Sequence, residues 1–204
     1  MYTPKSNRNE NKQEVIEFVK QNGFGILVSN VNGKPWATHL PLVINDDGTK
    51  ISGHLARGNA QWRELAQTDE VLVIFTGPHA YISSSWYDHE NVPTWNYISV
   101  HIYGKIRITE GEKMLSDLKE LTNKYEKDSV MPVTVEGMSE KFLAAEIRGI
   151  VGIEMDVTRI ESTYKLSQNR DDKNYKVITQ ELEMRKCPFD TEVAREMKKI
   201  RPFD

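Results

Sequence analysis

One cysteine, Cys187, stands in the 204 residues. No disulfide can close within the chain, which fits a reducing compartment and leaves stability to packing. No apolar run approaches the roughly 20 residues that a membrane helix needs. The opening MYTPKSNRNENKQE is too polar for a secretory signal. A cytoplasmic protein with no membrane partner is therefore expected. Positive charge is not in excess either: the net charge is −3, which gives no general attraction to nucleic acid. A G-x-S-x-G elbow, a P-loop, a G-x-G-x-x-G turn and a paired-acid motif are all missing. Tryptophan and histidine are absent from residues 1–35 and 102–204.

All four tryptophans and all five histidines thus fall between Trp36 and His101. Tryptophan brings a flat face and one N–H donor, and histidine a ring that donates, accepts or ligates. Crowded together, they suit a planar polar ligand, an aromatic core or a subunit interface. With 38% apolar and 28% charged residues the chain has an ordinary globular composition, so an ordered domain is expected.

Periodicity predicts a helix over 11–21, capped by Asn11 with Glu14 three positions on. Strands are predicted at Phe24–Ser29, Trp36–Ile44 and Lys50–Ala56. Asn32-Gly33 joins the first two, because both residues tolerate positive φ, and Asp46-Asp47-Gly48 joins the next. A helix follows over 59–67. Val71–Phe75 reads as a strand buried on both faces, and Gly77-Pro78 separates it from a further strand at Ala80–Ser84. Residues 85–93 read as a loop. Thr94–Ile108 alternates almost without a break: Ile98, Val100, Ile102, Ile106 and Ile108 share one face, and Trp95, Tyr97, Ser99, His101, Tyr103, Lys105 and Arg107 the other. Helices are expected over 111–126 and 139–148, a strand over Ile150–Ile160, and a short amphipathic helix over 190–200. The fold class expected is α+β, an antiparallel β-barrel with peripheral helices. The domain spans 1–180, and 181–204 forms a charged tail.

Three segments could carry chemistry. In Gly33–Leu42 two prolines, Pro35 and Pro41, require an edge-like or bulged strand, where backbone groups become available to a ligand. Taken alone, the segment is explained more simply as an edge strand with one core histidine. In Ser52–Trp62, Arg57, Asn59 and Gln61 gather where a helix begins, which offers a phosphate site or an ordinary cap. Gly77–Tyr87 and Val92–Tyr97 alternate hydroxyls and rings, which suits a flat ligand or an interface. Asp88-His89-Glu90 has no ligand spacing that would favour a metal, so no metal site is assigned. No catalytic residue declares itself; His39 and His54 are candidates and no more.

Seven segments carry a more specific signal: ATHLPL from Ala37, GHLARGNAQW from Gly53, GPHAYISSSWY from Gly77, VPTWNY from Val92, VHIYG from Val100, IVGIE from Ile150 and KLSQNR from Lys165. In this order, with the start MYTPK, they closely resemble the PaiB family of FMN-binding negative transcriptional regulators. The resemblance covers about residues 1–177. It implies a split β-barrel of the pyridoxamine-phosphate-oxidase-like kind, a homodimer with FMN between subunits, and repression of protease and sporulation genes. In related split barrels the strand equivalent to Thr38, His39 and Leu40 runs beside the flavin ring. Carried onto this sequence, the resemblance implies that the segment from His54 and Ala56 through Arg57, Asn59 and Gln61 would handle the phosphate and ribityl chain, and that Trp95 and Asn96 could come from the partner subunit. Where several such proteins place a lysine near the phosphate, this chain has Arg57 and Gln61. With no helix-turn-helix and no basic footprint, regulation through a small ligand or protein partner is expected over direct DNA binding. A flavin-dependent oxidoreductase without a regulatory role and a haem-binding split barrel are the other readings.

Overall fold

A computed structural model describes residues 1–203. The chain divides into two compact units that alternate along the sequence: residues 16–75 with 101–160, and residues 1–15 with 76–100 and from 161 onward.

The first unit is built on a closed barrel. The strands are β1 (Phe24–Val31), β2 (Lys34–Ile44), β3 (Lys50–Ala56), β4 (Val71–Ile82), β5 (Thr94–Thr109) and β6 (Ile150–Lys165), in the order β1-β2-β3-β6-β5-β4; β4 beyond 75, β5 before 101 and β6 beyond 160 belong to the second unit. The split-barrel expectation holds. Asn32 and Gly33 both take positive φ, 52° and 73°, and close the two-residue turn between β1 and β2. Leu27, Leu42, Ile51, Leu55, Val73, Phe75, Ile102 and Ile106 are buried, and their burial closes the barrel core. A Cβ on Gly104 would strike the Asp156 carbonyl, so glycine lets β5 and β6 approach closely here.

Helices α1 (Lys12–Gln21), α2 (Trp62–Leu65), α3 (Gly111–Glu126) and α4 (Glu140–Arg148) accompany the strands. The Asn11 side chain accepts the Glu14 N–H at 3.2 Å, the cap expected from sequence. Leu121 and Met114 of α3 are buried, whereas Tyr125 is exposed. Glu154 of β6 is buried and answered by Lys50 at 3.0 Å, Lys113 at 2.7 Å and Arg107. Three cations on one buried carboxylate compensate its desolvation.

Two expectations from the sequence need correction. The helix predicted over 59–67 is confined to Trp62–Leu65. Asn59 accepts the Gln61 N–H on its own side chain, forming a local turn that delays the helix. Gly77-Pro78 does not divide two strands, because β4 runs unbroken to Ile82. Pairing with β1 covers Leu72–Ile74, so at Pro78 that side of the strand no longer needs a donor. Leu72 and Ile74 are half-buried, so the strand start is covered fully on one face alone.

The second unit holds the largest departure. Residues 181–204, expected as a charged tail beyond the domain, belong to a compact unit with the residues from 161 onward. Strand β6 continues to Lys165, and α5 (Asp172–Met184) and α6 (Pro188–Ile200) follow. Tyr175, Ile178, Leu182, Val193, Ala194 and Met197 have no exposed surface. Tyr175 donates its hydroxyl to the Met197 carbonyl at 2.8 Å, and burial pushes that phenol up to about 12. The α6 helix is the one expected at 190–200, begun slightly earlier at Pro188. No helix among the described residues is long and apolar enough to cross a membrane.

Candidate functional site

The register of β2 explains how it carries two prolines. Residues Lys34–Pro41 pair with β1 in one continuous register, from Val31 opposite Lys34 to Phe24 opposite Pro41, without a bulge. Leu42 donates its N–H to the Gly23 carbonyl at 2.8 Å. Antiparallel ladders alternate donor direction residue by residue, so even-numbered residues of β2 face β1 and odd-numbered ones face away. Pro35 and Pro41 occupy odd positions, where β1 asks for no donor. On its other side β2 meets β3 through Leu42–Ile44, opposite Gly53 to Ile51. Beyond that β3 pairs with β6 as far as Ala56, opposite Ile150. The barrel wall therefore opens between Lys34–Pro41 and His54–Ala56. Ala37 and His39 turn their backbone groups into the opening. The edge-like strand expected from the prolines is present; the bulge is not, because the parity of Pro35 and Pro41 makes one unnecessary.

Thr38, Asn59 and Gln61 meet at this opening. Thr38 Oγ1 donates to Gln61 Oε1 at 2.6 Å and accepts from Asn59 Nδ2 at 2.8 Å. Gln61 is fully buried, and its Nε2 donates to the Leu27 carbonyl at 3.2 Å and Ser29 Oγ at 3.0 Å. Sequence reasoning expected Thr38 at a ring and Asn59 and Gln61 at a phosphate. The geometry puts all three on one network, and every polar atom of the Gln61 side chain is engaged within the fold. Gln61 therefore organises the site from behind. Ser29, which helps hold it, carried no sequence signal.

Arg57 follows directly in the loop after β3. Its Nε donates to the Arg148 carbonyl and its Nη2 to the Ile150 carbonyl, each at 2.8 Å. Its backbone carbonyl accepts from Trp62 Nε1 at 2.9 Å. The guanidinium is thus held on the turn between α4 and β6, and it walls a cavity of about 210 Å³ with Thr109, Glu110, Met114, Arg148 and Val151. A Cβ at the neighbouring Gly58 would meet nothing within 4 Å, so the loop borders open space. His39 is exposed and Leu40 buried, as alternation along β2 requires. The Phe24 and His39 rings lie 6.2 Å apart, centroid to centroid. His54 is half-buried, and desolvation lowers its imidazole below the ordinary 6.5.

Trp95 and Asn96 belong to the other unit and differ sharply from each other. Asn96 is fully buried, accepting from Ser167 Oγ at 3.1 Å and approaching Met197 Sδ at 3.6 Å. Its amide is committed within its own unit. Trp95 is 53% exposed and packs in an aromatic surface with Tyr81 at 5.9 Å and His79 at 6.0 Å; Phe189 of α6 lies 4.8 Å from His79. Phe189 was invisible as a site residue because it stands among charges far along the chain. Asp88 is a loop anchor: Lys173 at 2.7 Å, Asn174 at 3.0 Å and His89 at 2.9 Å hold its carboxyl far below the usual range.

Comparison with known proteins gives this architecture a family context. A family model described as "Putative FMN-binding domain" matches residues 1–159. "Protease synthase and sporulation protein PAI 2" of Bacillus subtilis (strain 168) is 46% identical over 199 residues, covering 97% of this chain and 96% of the relative. Among solved structures, the FAD and heme binding protein from Mycobacterium smegmatis is similar at TM-score 0.62 and 13% identity, covering 78% of this chain and 73% of that one. The flavocytochrome Anf3 from Azotobacter vinelandii gives TM-score 0.60 and 13% identity, covering 83% and 74%. At such identity the two structures speak for the fold alone.

Proposed function

The chain belongs to the FMN-binding domain family matched over residues 1–159, and from that premise we propose that it is an FMN-dependent regulator of protease production and sporulation, as the name of its 46% identical relative suggests. The observation that carries the site assignment is the unpaired edge of β2, which presents Ala37 and His39 beside Thr38 and Asn59. A flavin ring edge needs alternating donors and acceptors, and that strand offers both. Thr38 and His39 take the ring, while Leu40, buried and paired toward β1, holds the strand behind them. Arg57, beside the open space at Gly58, supplies the cation for the phosphate, with His54 and Ala56 along the way. Trp95, exposed on its aromatic surface, is the residue suited to reach a second copy's site in a homodimer. Gln61 supports the site from within, and Asn96 stays committed to Ser167 and Met197 in its own unit.

Bound FMN supplies reversible hydride or electron exchange, and the chain supplies position and polarity. Regulation in the cytoplasm through the ligand or a protein partner suits the net charge of −3 better than gripping DNA by charge. The test is a titration of the purified protein with FMN, followed by absorbance and fluorescence. Saturable binding in the micromolar range or tighter is expected. No response to FMN, with a Soret band on adding haem, would replace the flavin reading.

A further inference from the structure

The hydrogen-bond network behind β2 has a fixed direction, set at both ends by backbone groups. The Leu27 carbonyl can only accept, so the Gln61 nitrogen must face it. Gln61 Oε1 then faces Thr38 and can only accept, which claims the single Thr38 hydroxyl proton. At the other end the Gln61 backbone N–H can only donate, so Asn59 turns its oxygen toward it, at 3.0 Å. The Asn59 nitrogen is thereby placed on Thr38 and donates to it. Thr38 has given its proton and filled one lone pair, so toward a ligand it is an acceptor. Asn59 Nδ2 keeps one hydrogen, so beside Thr38 it is a donor.

We infer that Thr38 and Asn59 form an acceptor–donor pair that reads the N–H and neighbouring carbonyl of a cyclic imide, with Gln61 as the positioning residue that sets this polarity. The assignment rests on the FMN reading above and deepens it. The imide edge of the isoalloxazine ring carries N–H flanked by carbonyls, which complements the pair. A phosphate, all acceptor, would meet the Thr38 lone pair unfavourably. The network thus assigns Asn59 to the ring end of the ligand and leaves the phosphate to Arg57.

The experiment compares FMN with its N3-methyl derivative on wild-type, Thr38→Val and Thr38→Ser proteins, using fluorescence titration, with circular dichroism as the check on folding. Wild type and Thr38→Ser should prefer FMN by about fivefold or more, and Thr38→Val, equal in size, should lose most of that preference. A preference that persists in Thr38→Val would be steric and would overturn the pairing while leaving FMN binding intact. Absence of binding by either flavin would overturn both. A wild-type complex with N3-labelled FMN gives a readout that needs no variant. A protected imide proton with a nuclear Overhauser contact to the Thr38 methyl supports the pairing, and its absence contradicts it.

Discussion

The Thr38 hydroxyl and the Gln61 amide oxygen lie 2.6 Å apart, and through this bond a fully buried side chain controls a strand edge. Gln61 also holds the Leu27 carbonyl and the Ser29 hydroxyl. Gln61→Ala strands several buried polar groups at once, each worth about 1–3 kcal/mol when left unmade. A loss of roughly 2–3 kcal/mol in urea unfolding is expected. A change below about 0.5 kcal/mol would mean the network is not formed.

The parity of β2 makes a paired prediction. Ala37 points its N–H into the opening, as Pro35 and Pro41 would, whereas Trp36 points its N–H at β1. Trp36→Pro should cost roughly 2–3 kcal/mol for the lost ladder bond. Ala37→Pro should cost under about 1 kcal/mol while weakening FMN binding. Thermal melts with FMN titrations check both. Equal destabilisation by the two would contradict the register.

Leu182 of α5 has no exposed surface, although it lies in a stretch that reads as a charged tail. Leu182→Ala should cost about 2–5 kcal/mol, the range of a buried leucine truncation. A surface-like value near zero, measured by denaturant unfolding, would show that α5 does not pack.

His54 sets a pH dependence. Burial lowers its imidazole below the ordinary 6.5, so the unfolded chain takes up a proton first as the pH falls. Above about 6.5 both states are neutral and its contribution is complete. Below that the unfolded state binds more protons and stability declines. Between about pH 7 and pH 5, wild type should lose more stability than His54→Gln. Parallel slopes for the two proteins would exclude this role.

Most of the barrel is legible in the sequence because two signals agree there: alternation along β5 and turn chemistry at Asn32-Gly33. The opening in the barrel wall is legible in part. Pro35 and Pro41 mark an edge, but their parity, and so the absence of a bulge, depends on where the turn sets the register. Helix α5 is hidden because Tyr175, Ile178 and Leu182 are spaced for one face but diluted by charges on the others. The roles of Asn59 and Gln61 are visible as residue types and not as roles. Cap, phosphate ligand and buried strut all use the same amides, and Leu27 and Ser29 alone decide among them.

Amide hydrogen exchange with and without FMN tests the central claim most directly. The account predicts slowed exchange in peptides covering 36–41 and 55–61, where Ala37, His39 and the Arg57 loop meet the ligand, with α5 and α6 unchanged. Protection confined to other segments, or none at saturating FMN, would contradict it.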